Sequence, residues 1–207
     1  MNHYENYSPN TQFSVFPPAV KHLVIVNLLC FLALSTPGIG NALFYYGALW
    51  PIGHDLFQPW QLVSYMFLHS GFGHIFFNLF ALWIFGQSIE NSWGTNRFAA
   101  YYFLTGIGAA LLHMVVGGGG APTIGASGAV YGILLAFGMM YPDRYIMLLI
   151  PPIPIKAKYF VLIFGAIELF YGVTGSRSGI AHFAHLGGMF VGYLLIRFWG
   201  LRGENRY

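Results

Sequence analysis

Charged side chains are scarce in this sequence. Aspartate, glutamate, lysine and arginine together make up 7% of the 207 residues, against 57% hydrophobic residues. An ordinary soluble domain carries about 25% charged residues. A surface that faces water cannot be built from so few charges, so we expect most of the chain to face lipid.

The sequence also has a single cysteine and a small net charge. Cys30 is the single cysteine, which excludes an internal disulfide bond. The net charge is only +3, and the positive residues lie in short loops, so nothing suggests a nucleic-acid partner. Residues 1–18 are polar and irregular and do not read as a cleavable signal peptide. The first apolar segment is therefore predicted to remain as a membrane helix.

What the sequence has instead is a series of long apolar runs. They are continuous rather than alternating, which favours membrane-spanning helices over the strands of a barrel. The runs lie at residues 20–36, 74–92, 97–117, 127–141, 156–173 and 181–199. The predicted fold is all-α, a polytopic membrane protein with a bundle of six transmembrane helices.

Basic residues are distributed unevenly between the loops. With the N-terminus inside, eight of the nine lysines and arginines lie on the inner side and only Arg177 on the outer side. Because positive charge collects in cytoplasmic loops, both termini are predicted to be cytoplasmic. The expected location is the inner (plasma) membrane of the cell, with the outer ends of the fourth and sixth helices opening to the outer side. The predicted parts are an N-terminal tail, a six-helix domain with one long outer loop, and a C-terminal tail. They span residues 1–19, 20–199 (outer loop 37–73) and 200–207.

A serine lies where a glycine-rich loop meets the short fourth helix, in the sequence GASG at residues 125–128. For a lone serine, a helix cap is the alternative interpretation. Here Gly125 and Gly128 flank Ser127 and allow a tight turn and the close approach of another backbone. Free N–H groups at such a helix start can also stabilise an oxyanion. Ser127 is therefore a candidate nucleophile.

Small residues recur at every fourth position on two helices, and ridges of this kind let membrane helices pack with their backbones close together. The ridges are Gly128, Gly132 and Ala136 on the fourth helix, and Ala184, Gly188 and Gly192 on the sixth. Ser127 and His185 each lie one residue from the start of a ridge. Close packing of the ridges would bring the two side chains together, and a neutral imidazole within hydrogen-bonding reach activates a serine.

Further polar residues lie on or next to the predicted helices. Tyr131 lies one turn from Ser127 on the same face and is placed to orient the imidazole. No acid is well placed to complete a triad, because Glu168 falls midway along the fifth helix, so the sequence favours a Ser-His dyad. Glu168 is left open between structural hydrogen bonding and a water-lined or gating role. Glu90 and Arg97 are expected to form a structural ion pair or a cap.

Another group of polar residues, at the start of the second helix and just before it, consists of His69, His74 and Asn78. His74 and Asn78 are four residues apart and therefore share one face of the second helix. Side-chain donors of these types suit a developing oxyanion. A metal or haem site is the competing interpretation, but no cysteine or acid accompanies them at the usual metal-ligand spacing. We predict no metal and no cofactor.

Together these motifs resemble those of the rhomboid family of intramembrane serine proteases. The resemblance runs from about Pro59 to Gly192 and depends on the order and spacing of all the motifs. They are Pro59-Trp60, the segment from His69 to Asn78, Glu90 with Gly94, residues 125–128 with Tyr131, and Ala184-His185 followed by Gly188 and Gly192.

The resemblance implies roles for these residues. Ser127 is the expected nucleophile and His185 the expected general base. His74 and Asn78, with the backbone N–H of Ser127, are expected to form the oxyanion hole. The supporting residues are Tyr131, Gly125 and Gly128. Substrates would be membrane proteins whose spanning segments unwind near small residues, with the fifth helix and the loop at residues 172–180 acting as gate and cap.

One residue departs from the family pattern, and two other functions compete with proteolysis. Gln61 follows Trp60 where many members have arginine, which puts in doubt how the first loop is anchored. A catalytically silent binder of transmembrane helices would use the same groove without cleaving its ligand. A small transporter or haem protein would use the histidines as a proton relay or as ligands. Intact Ser127 and His185 favour the protease.

Overall fold

The computed structural model describes residues 13–117, 120–148, 151–175, 181–201 and 203. The N-terminal residues 1–12, most of the predicted C-terminal tail and Arg177 lie outside the described residues. Within the described part, the chain forms eight α-helices and one two-stranded antiparallel sheet. They are α1 (Pro18–Leu34), α2 (Ile39–Gly47), α3 (Gln61–Ser64), α4 (Phe72–Trp93), α5 (Thr95–Leu112), α6 (Ser127–Met140), β1 (Tyr145–Met147), β2 (Pro154–Lys156), α7 (Ala157–Thr174) and α8 (His182–Phe198).

The prediction of an all-α polytopic membrane protein is confirmed. Each of the six predicted apolar runs corresponds to one long helix within a few residues at either end, in the order α1, α4, α5, α6, α7 and α8. Among the described helices, three are long and apolar enough by length and composition to cross a membrane: Phe72–Trp93, Thr95–Val116 and Ala157–Thr174. The first and fourth runs form shorter apolar helices, Pro18–Leu34 and Ser127–Met140.

The predicted outer loop at residues 37–73 contains structure that the sequence analysis missed. It holds α2, α3 and a 3₁₀ turn at Tyr65–Phe67. The helices have nine and four residues, too short to show the periodic apolar pattern by which longer helices are recognised. The sheet of β1 and β2, in the loop between α6 and α7, was missed for the same reason.

Gln61 anchors this loop from the inside. Its side chain is completely buried. The amide oxygen accepts hydrogen bonds from the N–H groups of Trp50 (3.3 Å) and Gln58 (3.2 Å). The amide nitrogen donates to the carbonyl oxygens of Tyr46 (3.2 Å) and Leu56 (2.9 Å). The glutamine therefore ties four backbone positions of the loop together, and the departure from arginine leaves the loop well anchored.

At the end of the bundle opposite Ser127, one carboxylate joins three helices. Glu90, near the end of α4, is 2% exposed. It accepts the backbone N–H groups of Ala19 and Val20 at the start of α1, each at 2.8 Å. The hydroxyl of Thr95, at the start of α5, donates to it at 2.8 Å. Of the two expectations for Glu90, capping is observed, whereas its described hydrogen bonds do not involve Arg97.

The closest approach in the bundle is between α6 and α8. A Cβ atom added at Gly188 would lie 1.8 Å from the carbonyl oxygen of Gly128. Only glycine fits at position 188, because any larger residue would collide with backbone that cannot move aside. The predicted packing of small-residue ridges is therefore found at this point.

Further along, the small residues of the two ridges also make room for side chains of α5. A Cβ atom at Gly132 would meet the side chain of Thr105, 2.8 Å away, and one at Gly192 would meet the Tyr101 hydroxyl, 2.3 Å away. Both contacting side chains belong to α5. The small residues thus make room both for a neighbouring backbone and for side chains of a third helix.

Helix α7 lies at the edge of the bundle, and few of its residues are buried. Its buried residues are Ala157, Val161 and Glu168. Near its start, the exposed carboxylate of Asp143 accepts hydrogen bonds from the ammonium groups of Lys158 (2.9 Å) and Lys156 (3.1 Å). These cations hold the pKa of Asp143 below its ordinary value.

Candidate active site

Ser127 and His185 meet at the point where α6 and α8 approach most closely. Ser127 is the first residue of α6, and His185 lies in the first turn of α8. The Oγ atom of Ser127 is 2.8 Å from the Nε2 atom of His185. His185 is 7% exposed, so the imidazole is held in protein rather than in open solvent. The hydroxyl and the imidazole are within hydrogen-bonding distance before any substrate is bound.

The turn before Ser127 depends on glycine. Gly125 has a φ of +127°, a conformation that L side chains rarely adopt. Its N–H donates to the carbonyl oxygen of Tyr65 at 2.9 Å. A Cβ atom at this position would lie 2.7 Å from Nε2 of His74 and 3.8 Å from Oγ of Ser127. Gly125 therefore leaves room for His74 to approach the serine.

The ring of Tyr131 lies flat against His185. The ring centroids are 4.2 Å apart and the planes differ by 5°. Because Tyr131 is one turn from Ser127 on α6, the same helix supplies the serine and the surface on which the imidazole rests. The stacking limits tilting of the imidazole.

An acid does reach His185, so the expectation that none is well placed is wrong. Oε2 of Glu168 lies 3.0 Å from Nδ1 of His185 and 2.6 Å from Nδ1 of His182. The hydroxyl of Tyr131 donates to Oε1 of the same carboxylate at 2.5 Å. The side chain of Glu168 is buried. Sequence reasoning missed this group because Glu168 is on α7, and the spacing of residues along one helix does not tell which neighbouring helix its side chain will meet.

His74 and Asn78 face the serine from α4. Nδ1 of His74 lies 3.4 Å from the backbone nitrogen of Ser70, which can only donate, and 3.1 Å from the Ser70 hydroxyl. With Nδ1 as acceptor, Nε2 of His74 carries the hydrogen, on the side towards Gly125. The amide of Asn78 donates one hydrogen to the carbonyl oxygen of His74 at 2.8 Å and keeps a second one free. Both side chains thus have a donor available.

The side chain of Ser127 lies at the wall of a cavity of about 720 Å³. Ser127, His185, His74 and Asn78 all line it. His69, the third member of the predicted polar group, is 1% exposed and contacts His74 edge to face at 4.9 Å. It lines a separate, smaller cavity. The structure therefore brings four of the predicted site residues to one cavity. His69 does not line this cavity but packs against His74.

Glu168, His182 and His185 also form a cluster with metal-binding donor types. One ligand atom from each lies within 4.8 Å of the others. Imidazole nitrogens and a carboxylate oxygen suit zinc, but here the carboxylate already has both imidazoles and a tyrosine hydroxyl as neighbours. The absence of a metal from this protein stays a prediction.

Comparison with known proteins gives a consistent set of relatives. The family model described as Rhomboid domain matches residues 56–201. "Rhomboid-like protein 11, chloroplastic" of Arabidopsis thaliana is 29% identical over 84% of this chain and 62% of its own length. "Rhomboid protein 1, mitochondrial" of Saccharomyces cerevisiae is 27% identical over 92% of this chain and 56% of its own. "Rhomboid protease AarA" of Providencia stuartii is 28% identical over 66% of this chain and 54% of its own.

These curated relatives are longer than this chain. It spans 62%, 56% and 54% of the three, or somewhat over half their length. The similarity therefore concerns only part of each of these relatives.

Proposed function

The chain belongs to the rhomboid family, and from that premise we propose that it is an intramembrane serine endopeptidase. Ser127 is the nucleophile and His185 the general base. The observation that carries the proposal is the 2.8 Å contact between Ser127 Oγ and His185 Nε2 inside a polar cavity. The protein acts on transmembrane proteins, and it cleaves them in or near their spanning segments.

Acylation uses the serine and the histidine in turn. Oγ of Ser127 attacks the carbonyl carbon of the scissile peptide bond while its proton passes to Nε2 of His185. His185 then gives this proton to the nitrogen of the leaving amine as the C–N bond breaks. The ester formed on Ser127 is hydrolysed when His185 takes a proton from water and the resulting hydroxide attacks the ester carbon. His185 then returns this proton to Oγ of Ser127 as the ester C–O bond breaks, which releases the carboxyl product and restores the enzyme.

The oxyanion that forms during each attack needs hydrogen-bond donors. The N–H of Ser127 has no carbonyl partner within α6, because it is the first residue of that helix. The Nε2–H of His74 and the second amide hydrogen of Asn78 reach the same cavity. Loss of one oxyanion donor costs about 2.7–4 kcal/mol of transition-state stabilisation in serine proteases, so we expect both side chains to be needed for efficient cleavage.

Substrate and water need separate routes to the serine. Helix α7 is the least buried of the three longest helices. In an apolar stretch of 18 residues, 17% is buried in α7, compared with 33% in α4 and 33% in α5. We assign it the role of a gate past which a spanning segment bends towards Ser127, with residues 172–180 as a cap, of which 176–180 lie outside the described residues. Water reaches the serine through the cavity. The Ser127 end of the bundle faces the outer side of the plasma membrane, and both tails face the cytoplasm.

Labelling with a fluorophosphonate tests the proposal, because such reagents react with activated serines without needing a peptide substrate. The wild-type protein in detergent is expected to label and to cleave a model membrane substrate. Ser127→Ala is expected to do neither, and His185→Ala is expected to lose at least about 10³-fold in rate.

The matched control is Ser35→Ala, which removes an exposed hydroxyl bonded to a backbone carbonyl at the end of α1. It is expected to label and cleave like the wild type. A folded wild-type protein that binds transmembrane segments but neither labels nor cleaves would identify the protein as a silent binder instead.

A further inference from the structure

Glu168 is a buried acid in a membrane protein, and its contacts point to the catalytic pair. A carboxylate away from water is costly unless it is paired or hydrogen-bonded. Glu168 is 6% exposed, and both of its oxygens are engaged. Oε1 accepts from Tyr131, while Oε2 faces His182 and His185. Three donors on two other helices thus converge on one carboxylate.

The position of these contacts on His185 is informative. Nε2 of the ring faces Ser127 and Nδ1 faces Glu168. In a neutral imidazole one nitrogen carries the hydrogen and the other accepts. A carboxylate beside Nδ1 keeps the hydrogen on that nitrogen, which leaves the lone pair of Nε2 directed at the serine hydroxyl. The opposite tautomer would present an N–H to the serine and could not take its proton.

We propose that Glu168 is a positioning residue for His185, so that the pair of Ser127 and His185 works as part of a triad. This inference rests on the proposed function. Glu168 keeps the reactive tautomer and stabilises the imidazolium that forms when the proton of Ser127 moves to Nε2. The proton on Nδ1 stays on His185 throughout, and Glu168 remains a carboxylate. It touches neither the substrate nor the reacting atoms.

The contact between Glu168 and His185 is close but is not aligned as a hydrogen bond. Although Nδ1 of His185 is 3.0 Å from Oε2, the direction of its N–H does not meet the geometry of a hydrogen bond. His182 lies closer to the same oxygen, at 2.6 Å. Catalytic hydrogen bonds of unliganded enzymes often tighten only when substrate binds. Since Glu168 is carried by α7, movement of this helix sets how well the carboxylate and His185 align.

The first test measures the tautomer itself, without any activity. Nitrogen NMR of histidine-labelled wild-type protein at a pH where His185 is neutral is expected to show the hydrogen on Nδ1 of His185. In Glu168→Gln, which keeps the size of the side chain and removes its charge, the two tautomers are expected to become mixed. A wild-type His185 with the hydrogen on Nε2, or a tautomer population unchanged in the variant, would overturn the inference even if the protein is an active protease.

The second test measures rates per folded molecule. Glu168→Gln is expected to lower the fluorophosphonate labelling rate and kcat by about 10²- to 10⁴-fold, the range for catalytic proton-transfer groups, with KM nearly unchanged. Glu90→Gln is the matched control, since Glu90 is an equally buried acid that caps α1. It is expected to lower the stability but not the labelling rate of the molecules that remain folded. Equal labelling rates for the two variants would contradict a positioning role for Glu168.

The two proposals fail in different ways. A wild-type protein that does not label would reject the protease, whatever the NMR result. A wild-type protein that labels, together with a Glu168→Gln variant that labels equally fast, would leave the protease in place and reject the triad.

Discussion

The interface of α6 with α8 and the packing of α7 are built differently. In α6, ten of the 14 residues are buried, and its backbone touches that of α8 at Gly128 and Gly188. In α7, three of the 18 residues are buried. Its polar contacts include Glu168 in the interior and Lys158 near its start.

The two kinds of packing serve different parts of the site. Ser127 and His185 have to stay within hydrogen-bonding distance, and they are carried by the two helices that cannot move apart without losing backbone contact. Glu168 comes from a helix with only three buried residues. We infer that the nucleophile and base form a fixed unit, whereas their alignment with Glu168 is adjustable.

The largest expected effect comes from adding a side chain at the point where α6 and α8 touch. In Gly188→Ala, the new Cβ atom would be 1.8 Å from the carbonyl oxygen and 2.7 Å from the carbonyl carbon of Gly128. The helices must separate, and we expect a loss of about 3 kcal/mol or more in the free energy of unfolding, together with loss of labelling at Ser127. Unfolding in mixed micelles measures the first, and fluorophosphonate reaction the second.

Gly165→Ala is the matched control on α7. Its Cβ atom would lie 3.2 Å from Cε of Met189, the end of a flexible side chain that can move aside. Since alanine favours a helix over glycine by up to about 1 kcal/mol, this variant is expected to equal or slightly exceed the wild type in stability. Equal losses in the two variants would show that α6–α8 and α7 do not differ as described.

A smaller effect is expected from a hydrogen bond beside the same interface. The hydroxyl of Tyr101, on α5, is buried and donates to the carbonyl oxygen of Gly132 on α6 at 2.8 Å. Tyr101→Phe removes this bond and is expected to cost about 1 kcal/mol in the free energy of unfolding. The control is Tyr159→Phe on α7. Tyr159 is 52% exposed, so this change should leave stability unaltered. A larger loss for Tyr159→Phe would reverse the comparison.

The smallest expected effect concerns the contacts at the start of α7. Because Lys158 and Lys156 lower the pKa of Asp143, the contribution of Asp143 to stability is present above the unfolded-state pKa of about 4. It is lost as the pH falls through the lower folded-state value. The difference in Tm between wild type and Asp143→Asn should therefore be small at neutral pH and shrink in strong acid. A difference that grows on acidification would contradict the assigned contacts.

The sequence was sufficient for the features that depend on spacing within one helix. The low charge and the six apolar runs predicted the membrane class and the order of the long helices. The four-residue spacing of small residues predicted that Ser127 and His185 lie near the contact of two helices. The catalytic roles of the site residues stay predictions, although four of these residues share one cavity.

The features that were missed depend on contacts between elements. Glu168 reaches His185 only because of how α7 lies against α8, and the sequence pattern of α7 contains no information on that arrangement. The four hydrogen bonds of Gln61 run to backbone groups of a loop with no repeating pattern. The contacts of Gly132 and Gly192 with side chains of α5 were not foreseen either, since a small residue leaves space without specifying what fills it.

The carboxylate of Glu90 has a consequence for how the protein is made. The N–H groups of Ala19 and Val20 find their acceptor 71 and 70 residues later in the chain. During synthesis, α1 emerges long before the end of α4, so its first turn depends on water or lipid headgroups for hydrogen bonds until α4 has been inserted. We therefore expect the first span to reach its final position only after the second one is in the bilayer.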